Sequence, residues 1–307
     1  MNKPKFWDKI NFITILLLPF SLIVSFLVYL RRKFTKSLKF NLPIICVGNI
    51  YVGGTGKTPI SIFFAKEFSK LGKNPSIIRK YYKNHIDEYE LIKNEFKNLI
   101  INKSRKIALQ QAEKANYDLA ILDDGLQDYE IKKNLNIVCF NSEQLVGNGF
   151  VFPSGPLREN LSVLKNSDII IINGIKNIQF EKKILKINKN LEIFYSYYKP
   201  LNINDFENKK LLALAGIGNP ENFFKLIEQN NLKIEKKLIF PDHYIFSEAE
   251  AQNIVREAKE NKYQIIMTEK DYFKLKNYKL ENTNYLKVSL EIENKEKLLK
   301  RIYKIYD

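Results

Sequence analysis

A glycine-rich segment between two apolar runs constrains the fold of this chain more than any other feature. The run Ile44–Val47 is short and rich in β-branched residues, and the glycines that follow it end in Lys57 and Thr58. Residues 60–71 then carry apolar side chains at helical spacing. This order of elements is that of a phosphate-binding P-loop: a strand, a glycine loop, Lys-Thr and a helix.

The loop predicts a nucleotide site because each of its parts suits phosphate chemistry. Backbone N–H groups and the helix N-terminus attract phosphate oxygens, the Lys57 ammonium reaches the terminal phosphates, and the Thr58 hydroxyl can hold Mg²⁺. An ordinary strand-to-helix turn is the alternative, since Tyr51 stands where the common pattern has its first glycine. The density of glycines favours the nucleotide site. Its expected binding residues are Val52, Gly53, Gly54, Thr55, Gly56, Lys57 and Thr58.

An apolar strand that ends in two carboxylates is the second strong signal. Residues 117–125 read YDLAILDDG, so that Asp123 and Asp124 follow a buried strand. In a P-loop protein an acidic residue at the end of a neighbouring strand coordinates Mg²⁺ directly or through water. We therefore predict this role for at least one of the two aspartates, and an Asp-Asp-Gly turn is the alternative.

Strand-like and helix-like runs alternate along most of the chain. This alternation predicts an α/β fold, a P-loop NTPase-like and mostly parallel sheet with helices on both faces. A strand-like run near residue 210 begins a second, smaller α/β unit. We predict a membrane-associated helix at residues 1–35, a P-loop core at 36–205 and a C-terminal α/β domain at 206–307.

An uncharged stretch near the N-terminus predicts membrane association. Residues 10–30 carry no charged side chain and have basic residues on both flanks, and about 20 apolar residues can cross a bilayer. Two interpretations remain open: a helix that spans the membrane, and a helix that lies in the cytoplasmic leaflet. Pro19 could break the helix, which would suit the second interpretation. A cleaved signal peptide is disfavoured because no small-residue cleavage site follows. A buried core helix would rarely be so apolar on all sides.

The net charge and the small numbers of cysteines and histidines limit which partners and which catalytic chemistry the chain can use. The formal charge of +16 favours anionic partners. The lysines are scattered and no nucleic-acid module occurs, so we expect no nucleic-acid partner. Cys46 and Cys139 lie in apolar runs and indicate neither a disulfide nor a zinc site. Only two histidines occur, so imidazole chemistry must use His85 or His243.

Six short motifs follow one another in an order that characterises one enzyme family. They are VGNIYVGGTGKTP (47–59), DDGLQ (123–127), GPLRE (155–159), AGIGNPENFF (215–224), PDHY (241–244) and TEKD (268–271). With these motifs the chain resembles, over nearly its whole length, the tetraacyldisaccharide 4′-kinases, the lipid A 4′-kinases of Gram-negative bacteria. The loop of that family likewise lacks the first glycine.

The resemblance implies an enzyme that uses ATP and Mg²⁺ to phosphorylate the 4′-hydroxyl of a lipid A disaccharide 1-phosphate precursor. It implies work at the bacterial inner membrane, in contact with membrane lipid. The nucleotide site follows the apolar stretch closely and should be cytoplasmic, so we expect the cytoplasmic face of this membrane. No obligate protein partner is evident from the sequence. By position, Lys57 and Thr58 should bind phosphate and Mg²⁺, and Asp123 and Asp124 should match the acidic pair of the family. Residues expected near the substrate are Gln127, Arg158 and Glu159.

The resemblance also implies a catalytic pair. In the family, an aspartate in a Gly-Asp-Glu segment pairs with the histidine of PDHY, and the segment 85–88 is the only candidate here. Asp87 and His243 are therefore the expected pair, in which an aspartate helped by a histidine accepts the proton of the attacking sugar hydroxyl. Without the resemblance, Asp87 reads as a solvated carboxylate at a helix start, and His243 as a capping or core residue.

The chain departs from the family pattern in three places. Residues 78–83 replace the family segment Ser-Arg-Gly-Tyr-Gly-Arg with loss of both glycines, and the stretch from there to Asp87 is shorter. Asp128 stands where the family has a histidine after DDGLQ. The first two departures suggest a trimmed substrate loop.

A membrane-associated regulatory ATPase of the ParA/MinD type is the alternative function. The loops of those proteins also have a Gly-Gly-x-Gly-Lys pattern, but a signature lysine precedes the glycine pair. This chain has Val52 at that position, which favours the kinase.

Overall fold

The structure is a computed structural model that describes residues 4–83, 85–278 and 280–306. The α-helices of this part of the chain are α1 (Phe12–Phe34), α2 (Lys57–Lys70), α3 (Ile86–Glu95), α4 (Arg105–Lys114), α5 (Ile178–Leu185), α6 (Pro220–Gln229), α7 (Glu248–Glu260), α8 (Glu269–Leu275) and α9 (Lys295–Tyr303). The strands are β1 (Ile44–Gly48), β2 (Pro75–Lys80), β3 (Leu99–Asn102), β4 (Leu119–Asp123), β5 (Leu135–Asn141), β6 (Ile169–Asn173), β7 (Glu192–Pro200), β8 (Leu211–Ala215), β9 (Ile234–Ile239), β10 (Gln264–Thr268), β11 (Thr283–Leu286) and β12 (Val288–Ile292).

The larger sheet has its strands in the order β12-β7-β6-β5-β1-β4-β2-β3. β1 lies between β4 and β5 and is parallel to both. The successive β1 residues Ile45 and Cys46 point to opposite faces, and both are fully buried, so the sheet is covered on both sides. The predicted α/β fold with a mostly parallel sheet is confirmed.

The smaller sheet, with the order β11-β10-β8-β9, is parallel throughout. Its inner strand β8 is fully buried. α6 packs Phe224 and Ile227 against the sheet. α7 begins with a capping box, in which Ser247 and Glu250 exchange hydrogen bonds between side chain and backbone. This is the second α/β unit that the sequence predicts.

The chain folds into two compact units that are not contiguous in sequence. The smaller unit contains Tyr82–Glu95 and Tyr198–Leu290, and the larger unit contains Lys3–Tyr81, Phe96–Tyr197 and Glu291–Asp307. Relative to the boundary predicted between residues 205 and 206, the smaller unit starts earlier, takes in α3 and ends before α9. α9 lies in the larger unit because Tyr303 stacks on Phe68 of α2, with ring centroids 6.1 Å apart.

The N-terminal helix α1 is one continuous helix of 23 residues, long and apolar enough to cross a bilayer. It runs through Pro19, so the helix is not broken at this proline. Only Thr14 and Ser21 of the helix are buried, while the large apolar side chains of α1 are mostly exposed. An exposed apolar helix of this length is typical of a segment that a membrane covers.

Hydrogen bonds attach the buried face of α1 to the Gly/Pro-rich loop 148–157. The Ser21 hydroxyl donates to the Val151 carbonyl at 2.7 Å and accepts from the Ser154 N–H at 2.9 Å. The Ser154 hydroxyl donates to the Thr14 carbonyl at 2.7 Å. The loop that precedes Arg158 is therefore held directly by the apolar helix.

Gly48 provides a test of the packing at the end of β1. A Cβ at this position would lie 2.5 Å from the Leu126 Cβ, which is closer than packed atoms allow. We expect Gly48→Ala to lower the free energy of unfolding by about 1–3 kcal/mol, because the backbone must shift. Denaturant unfolding in detergent measures this change. Leu71→Ala, at an exposed position, is the control and should change stability by less than about 0.5 kcal/mol. If Gly48→Ala were as stable as the wild type, the close approach of Gly48 to Leu126 would be contradicted.

Candidate active site

The glycine loop connects the end of β1 to the start of α2, as the sequence predicts. Gly53 (φ +137°) and Gly56 (φ +83°) adopt backbone conformations that favour glycine. The Asn49 amide donates to the Gly53 carbonyl at 3.2 Å and to the Thr55 hydroxyl at 2.9 Å. These bonds fix the turn that brings the chain to the N-terminus of α2, where anions are favoured.

Tyr51 has a packing role that explains why it replaces the first glycine of the common pattern. Its side chain is 1% exposed. Its backbone forms a bridge with Leu157, and the Val52 N–H donates to the Pro156 carbonyl at 2.8 Å. The segment GPLRE therefore braces the start of the glycine loop.

Lys57 lies in a buried cluster of opposite charges. Its ammonium is 3.6 Å from Asp124 Oδ1, and its side chain is only 12% exposed. Burial lowers the pKa of Lys57, and the Asp124 carboxylate partly offsets this effect. Burial alone would raise the pKa of Asp124, but the charges of Lys57, Arg158 and Arg79 hold it well below its ordinary value. Arg158 donates to both Asp124 oxygens, at 2.9 and 3.2 Å.

Thr58 and Asp123 form the adjoining part of this cluster. The Thr58 hydroxyl donates to Asp123 Oδ2 at 3.0 Å, and the Ser61 hydroxyl donates to Oδ1 at 3.2 Å. Arg79 pairs with Asp123 and donates to the Thr58 hydroxyl at 3.0 Å. Arg79 lies inside β2, which continues to Lys80. The hydroxyl and carboxylate oxygens of Thr58, Asp123 and Asp124 are the hard ligands that Mg²⁺ prefers.

Arg105 is a member of the cluster that no sequence motif indicates. Its guanidinium donates to the backbone carbonyls of Asp124 at 2.6 Å and Asp123 at 3.3 Å. It also lies 3.6 Å from Asp128, the residue that replaces the family histidine. Asp124 has a left-handed φ of +59°, an uncommon conformation for a non-glycine residue. Arg105 therefore fixes the turn that directs the Asp124 carboxylate toward Lys57.

The three residues expected near the substrate lie together beside the loop. Gln127 donates to Glu159 Oε1 at 2.8 Å and to the Asn49 carbonyl at 2.9 Å. The Tyr129 hydroxyl, which no motif indicated, donates to Glu159 Oε2 at 2.8 Å. Arg158 bonds to Asp124 as described above. These bonds brace the glycine loop and the acidic turn, and the substrate contacts of Gln127, Arg158 and Glu159 stay predictions.

Asp87 and His243 are in direct contact within the smaller unit. Asp87 lies in the first turn of α3 and is 7% exposed, and His243 follows β9. His243 Nδ1 lies 3.1 and 3.2 Å from the two Asp87 oxygens. The backbone of His243 is left-handed (φ +57°), a strained conformation of the kind found at functional sites.

The environment of Asp87 keeps its carboxylate ionised. Burial alone would raise its pKa, but the hydrogen bond from His243 and the charges of Lys270, His243 and Lys274 lower it to about 2. Because the folded-state pKa lies below the ordinary value of 3.8, this group stabilises the fold above that value. The stabilisation is lost as the pH falls through about 2.

His85, Glu88 and His243 form a neighbouring group in which potential ligand atoms lie within 4.8 Å of one another. The rings of His85 and His243 are stacked, with centroids 4.2 Å apart and planes at 11°. Nearly parallel rings do not direct their nitrogen lone pairs at one point, and Lys270 lies 3.3 Å from Glu88 Oε1. The arrangement is that of an ion-pair network and not of a cation site. Lys270, in the motif TEKD, had no role assigned from sequence.

Comparison with known proteins gives a consistent result. A model of the tetraacyldisaccharide-1-P 4′-kinase family matches residues 13–307. The tetraacyldisaccharide 4′-kinase of Pelagibacter ubique is 40% identical, over 99% of this chain and 98% of its own. That of Haemophilus influenzae is 31% identical, over 98% and 96%. The crystal structure of LpxK from Aquifex aeolicus in complex with ATP has a TM-score of 0.73 at 25% identity, covering 96% of this chain and 99% of that chain. This chain belongs to the tetraacyldisaccharide-1-P 4′-kinase family.

Proposed function

We propose that this chain transfers the γ-phosphate of ATP to the 4′-hydroxyl of a lipid A disaccharide 1-phosphate precursor. The observation that carries the proposal is the buried Lys57 at the end of the glycine loop, beside Asp124, in a member of the 4′-kinase family. The related Aquifex aeolicus protein is described in complex with ATP, the donor expected for such a loop. The enzyme is thus a phosphotransferase of lipid A biosynthesis.

The glycine loop provides the donor side of the reaction. Backbone N–H groups of the loop and the N-terminus of α2 bind the phosphates, and Lys57 places a positive charge at the transferring group. Thr58, Asp123 and Asp124 would hold Mg²⁺, which supplies further positive charge beside the phosphate oxygens. Phosphoryl transfer depends mainly on positioning and on such charge stabilisation. Arg158 and Arg105 fix Asp124 and so keep the charges of this cluster in place.

Asp87 and His243 provide the acceptor side. As the 4′-oxygen forms its bond to the γ-phosphorus, the bond from this phosphorus to the ADP oxygen breaks and the hydroxyl proton must leave. The ionised Asp87 carboxylate accepts this proton, and the hydrogen bond from His243 Nδ1 fixes the orientation of the carboxylate. A low pKa is compatible with this role because the loose transition state requires little proton transfer early in the reaction.

As a member of its family the chain is membrane-associated. We propose more specifically that it works at the cytoplasmic face of the bacterial inner membrane. The exposed apolar surface of α1 and the basic residues at its end, Arg31–Lys33, suit contact with acyl chains and anionic lipid headgroups. The absence of nucleic-acid and obligate protein partners stays a prediction.

An acceptor comparison tests the proposed function. The purified full-length chain in detergent should transfer ³²P from γ-labelled ATP to an acylated disaccharide 1-phosphate, and not to the matched 4′-deoxy compound. Transfer fails with the deoxy compound because the attacking oxygen is missing. Strong labelling of the deoxy compound or of unrelated acceptors would refute the assignment. ATP hydrolysis stimulated by a protein, with no labelled lipid, would support the ParA/MinD type of ATPase.

A further inference from the structure

Lys270 occupies an unusual position for a lysine. It is the second residue of α8, where the partial positive charge of a helix N-terminus disfavours a cation. Thr268 caps this helix by accepting from the Asp271 N–H at 3.1 Å, which fixes the first turn. The Lys270 side chain is only 13% exposed. A largely buried ammonium at this end of a helix requires carboxylates to offset its cost.

Three carboxylates surround the Lys270 ammonium. It donates to Asp242 Oδ1 at 2.9 Å and to Glu88 Oε1 at 3.3 Å, and it lies 3.5 Å from Asp87 Oδ2. Asp87 and Glu88 come from α3, whereas Asp242 belongs to the PDHY segment after β9. One ammonium therefore joins two segments that are far apart in sequence.

These contacts reach His243 from two sides. The Asp87 carboxylate contacts both the His243 imidazole and Lys270. Asp242 Oδ1 accepts from the His243 backbone N–H at 3.1 Å and from Lys270 as well. The strained left-handed backbone of His243 is thus held through Asp242, and its ring through Asp87. Lys270 is the group common to both connections.

Lys274, one turn further along α8, has a different role. It lies 3.7 Å from Asp87 Oδ2, but its ammonium donates to the Gly216 carbonyl and to Asp271 Oδ1, both at 2.9 Å. Asp271 is fully buried and accepts from the Gly216 N–H at 2.8 Å. Lys274 therefore connects α8 to the end of β8, and it adds positive charge near Asp87 without contacting the His243 segment.

We propose that Lys270 is a positioning residue for the Asp87–His243 pair. It orients the carboxylate and the imidazole for proton transfer from the acceptor hydroxyl and touches neither the hydroxyl nor the donor. This inference rests on the proposed function of the pair. Lys270 also favours the ionised form of Asp87. The charged and titratable groups that face Asp87 are His243, from the loop after β9, and Lys270 and Lys274, from α8. Glu88 lies beside Asp87 on the same helix, α3.

Three variants of the full-length chain test this role. Lys270→Met keeps most of the length of the side chain and removes its charge, Lys270→Arg keeps the charge, and Lys276→Met is the matched control. Lys276 follows α8 and pairs with the exposed Glu90 of α3 at 3.1 Å, so its loss also removes an ion pair to α3. The measurements are kcat, the KM for ATP, the pH profile of kcat and thermal stability.

Lys270→Met should lower kcat about 10–100-fold and change the KM for ATP less than about twofold, because misorientation affects the reacting geometry. The acid limb of the pH profile of kcat of this variant should move to higher pH by about one unit or more, since a cation that favours ionised Asp87 is lost. Lys270→Arg should restore most of the lost turnover, and Lys276→Met should behave as wild type. Wild-type kcat and pH profile in Lys270→Met, or a loss of stability alone, would overturn the proposal.

The histidine rings give a readout that does not require activity. His85→Gln assigns the two ring signals in ¹H–¹³C NMR spectra, because the chain has only two histidines. Lys270→Met should shift the His243 signal, whereas Lys276→Met should not. If the wild type were inactive in phosphate transfer but Lys270→Met still shifted the His243 signal, the proposed function would be contradicted and the positioning role would remain supported. An active wild type without the shift would contradict the positioning role alone.

Discussion

Replacing Lys57 by alanine should lower kcat for lipid phosphorylation by about 10²–10³-fold. The loss is large because Lys57 supplies positive charge in a largely buried position, where the interaction with phosphate oxygens is stronger than in water. The substitution also removes one of the basic side chains beside Asp124, so ATP binding should weaken as well. Labelled phosphate transfer gives kcat, and equilibrium binding of ATP gives the Kd.

Lys70→Ala is the matched control for this experiment. Lys70 lies at the end of the same helix, is 68% exposed and pairs with Glu67. Removing it should leave both kcat and ATP binding unchanged, since an exposed ion pair contributes little. If Lys57→Ala retained wild-type turnover, the glycine loop could not be the donor site.

Replacing His243 by alanine should lower kcat by about 10²–10⁴-fold while the Kd for ATP changes less than about twofold. The imidazole orients Asp87 and holds its pKa down, so its removal disturbs proton transfer and leaves the glycine loop intact. Asp87→Asn should have a similar effect, because the amide keeps the shape but cannot accept the proton. The double variant should be little worse than either single one, as expected of residues that act as a unit.

The acid limb of the pH profile of kcat gives an independent test of the Asp87–His243 pair. In the wild type, a carboxyl pKa of about 2 keeps Asp87 ionised at pH values well above 2. His243→Ala removes a hydrogen bond and an electrostatic interaction that both lower the pKa of Asp87, so the acid limb should move to higher pH. Glu90→Gln, a partly exposed position on the same helix, is the control. Additive effects of Asp87→Asn and His243→Ala, or unchanged turnover in either, would exclude a catalytic pair.

Local patterns were sufficient to predict much of the fold and the position of the glycine loop between β1 and α2. The glycine loop and the turn at Asp123–Asp124 each lie within a short stretch, where a strand and its following residues have a recognisable composition. The alternation of strands and helices likewise predicted the parallel sheet. The position of α9 was not predictable in this way, because it depends on the Tyr303 contact with Phe68, far away in sequence.

The residues that hold the site in place were harder to predict. Arg79, Arg105 and Lys270 are single basic residues in a chain with 50 lysines and arginines, and such residues are usually solvated. Their roles depend on carboxylates brought close by folding, which periodicity does not reveal. The contact of Asp87 with His243 joins residues 156 positions apart, and only the family resemblance indicated it.

The position of the transferred phosphate tests the central claim most directly. The full-length chain would be incubated in detergent with γ-labelled ATP and an acylated disaccharide 1-phosphate, and the lipid product analysed by ³¹P–¹H correlation NMR. We predict a single new phosphate on the 4′-oxygen, formed by the wild type and lost in Lys57→Ala and His243→Ala. Release of labelled inorganic phosphate without a lipid product, or a phosphate on any other hydroxyl, would contradict the assignment.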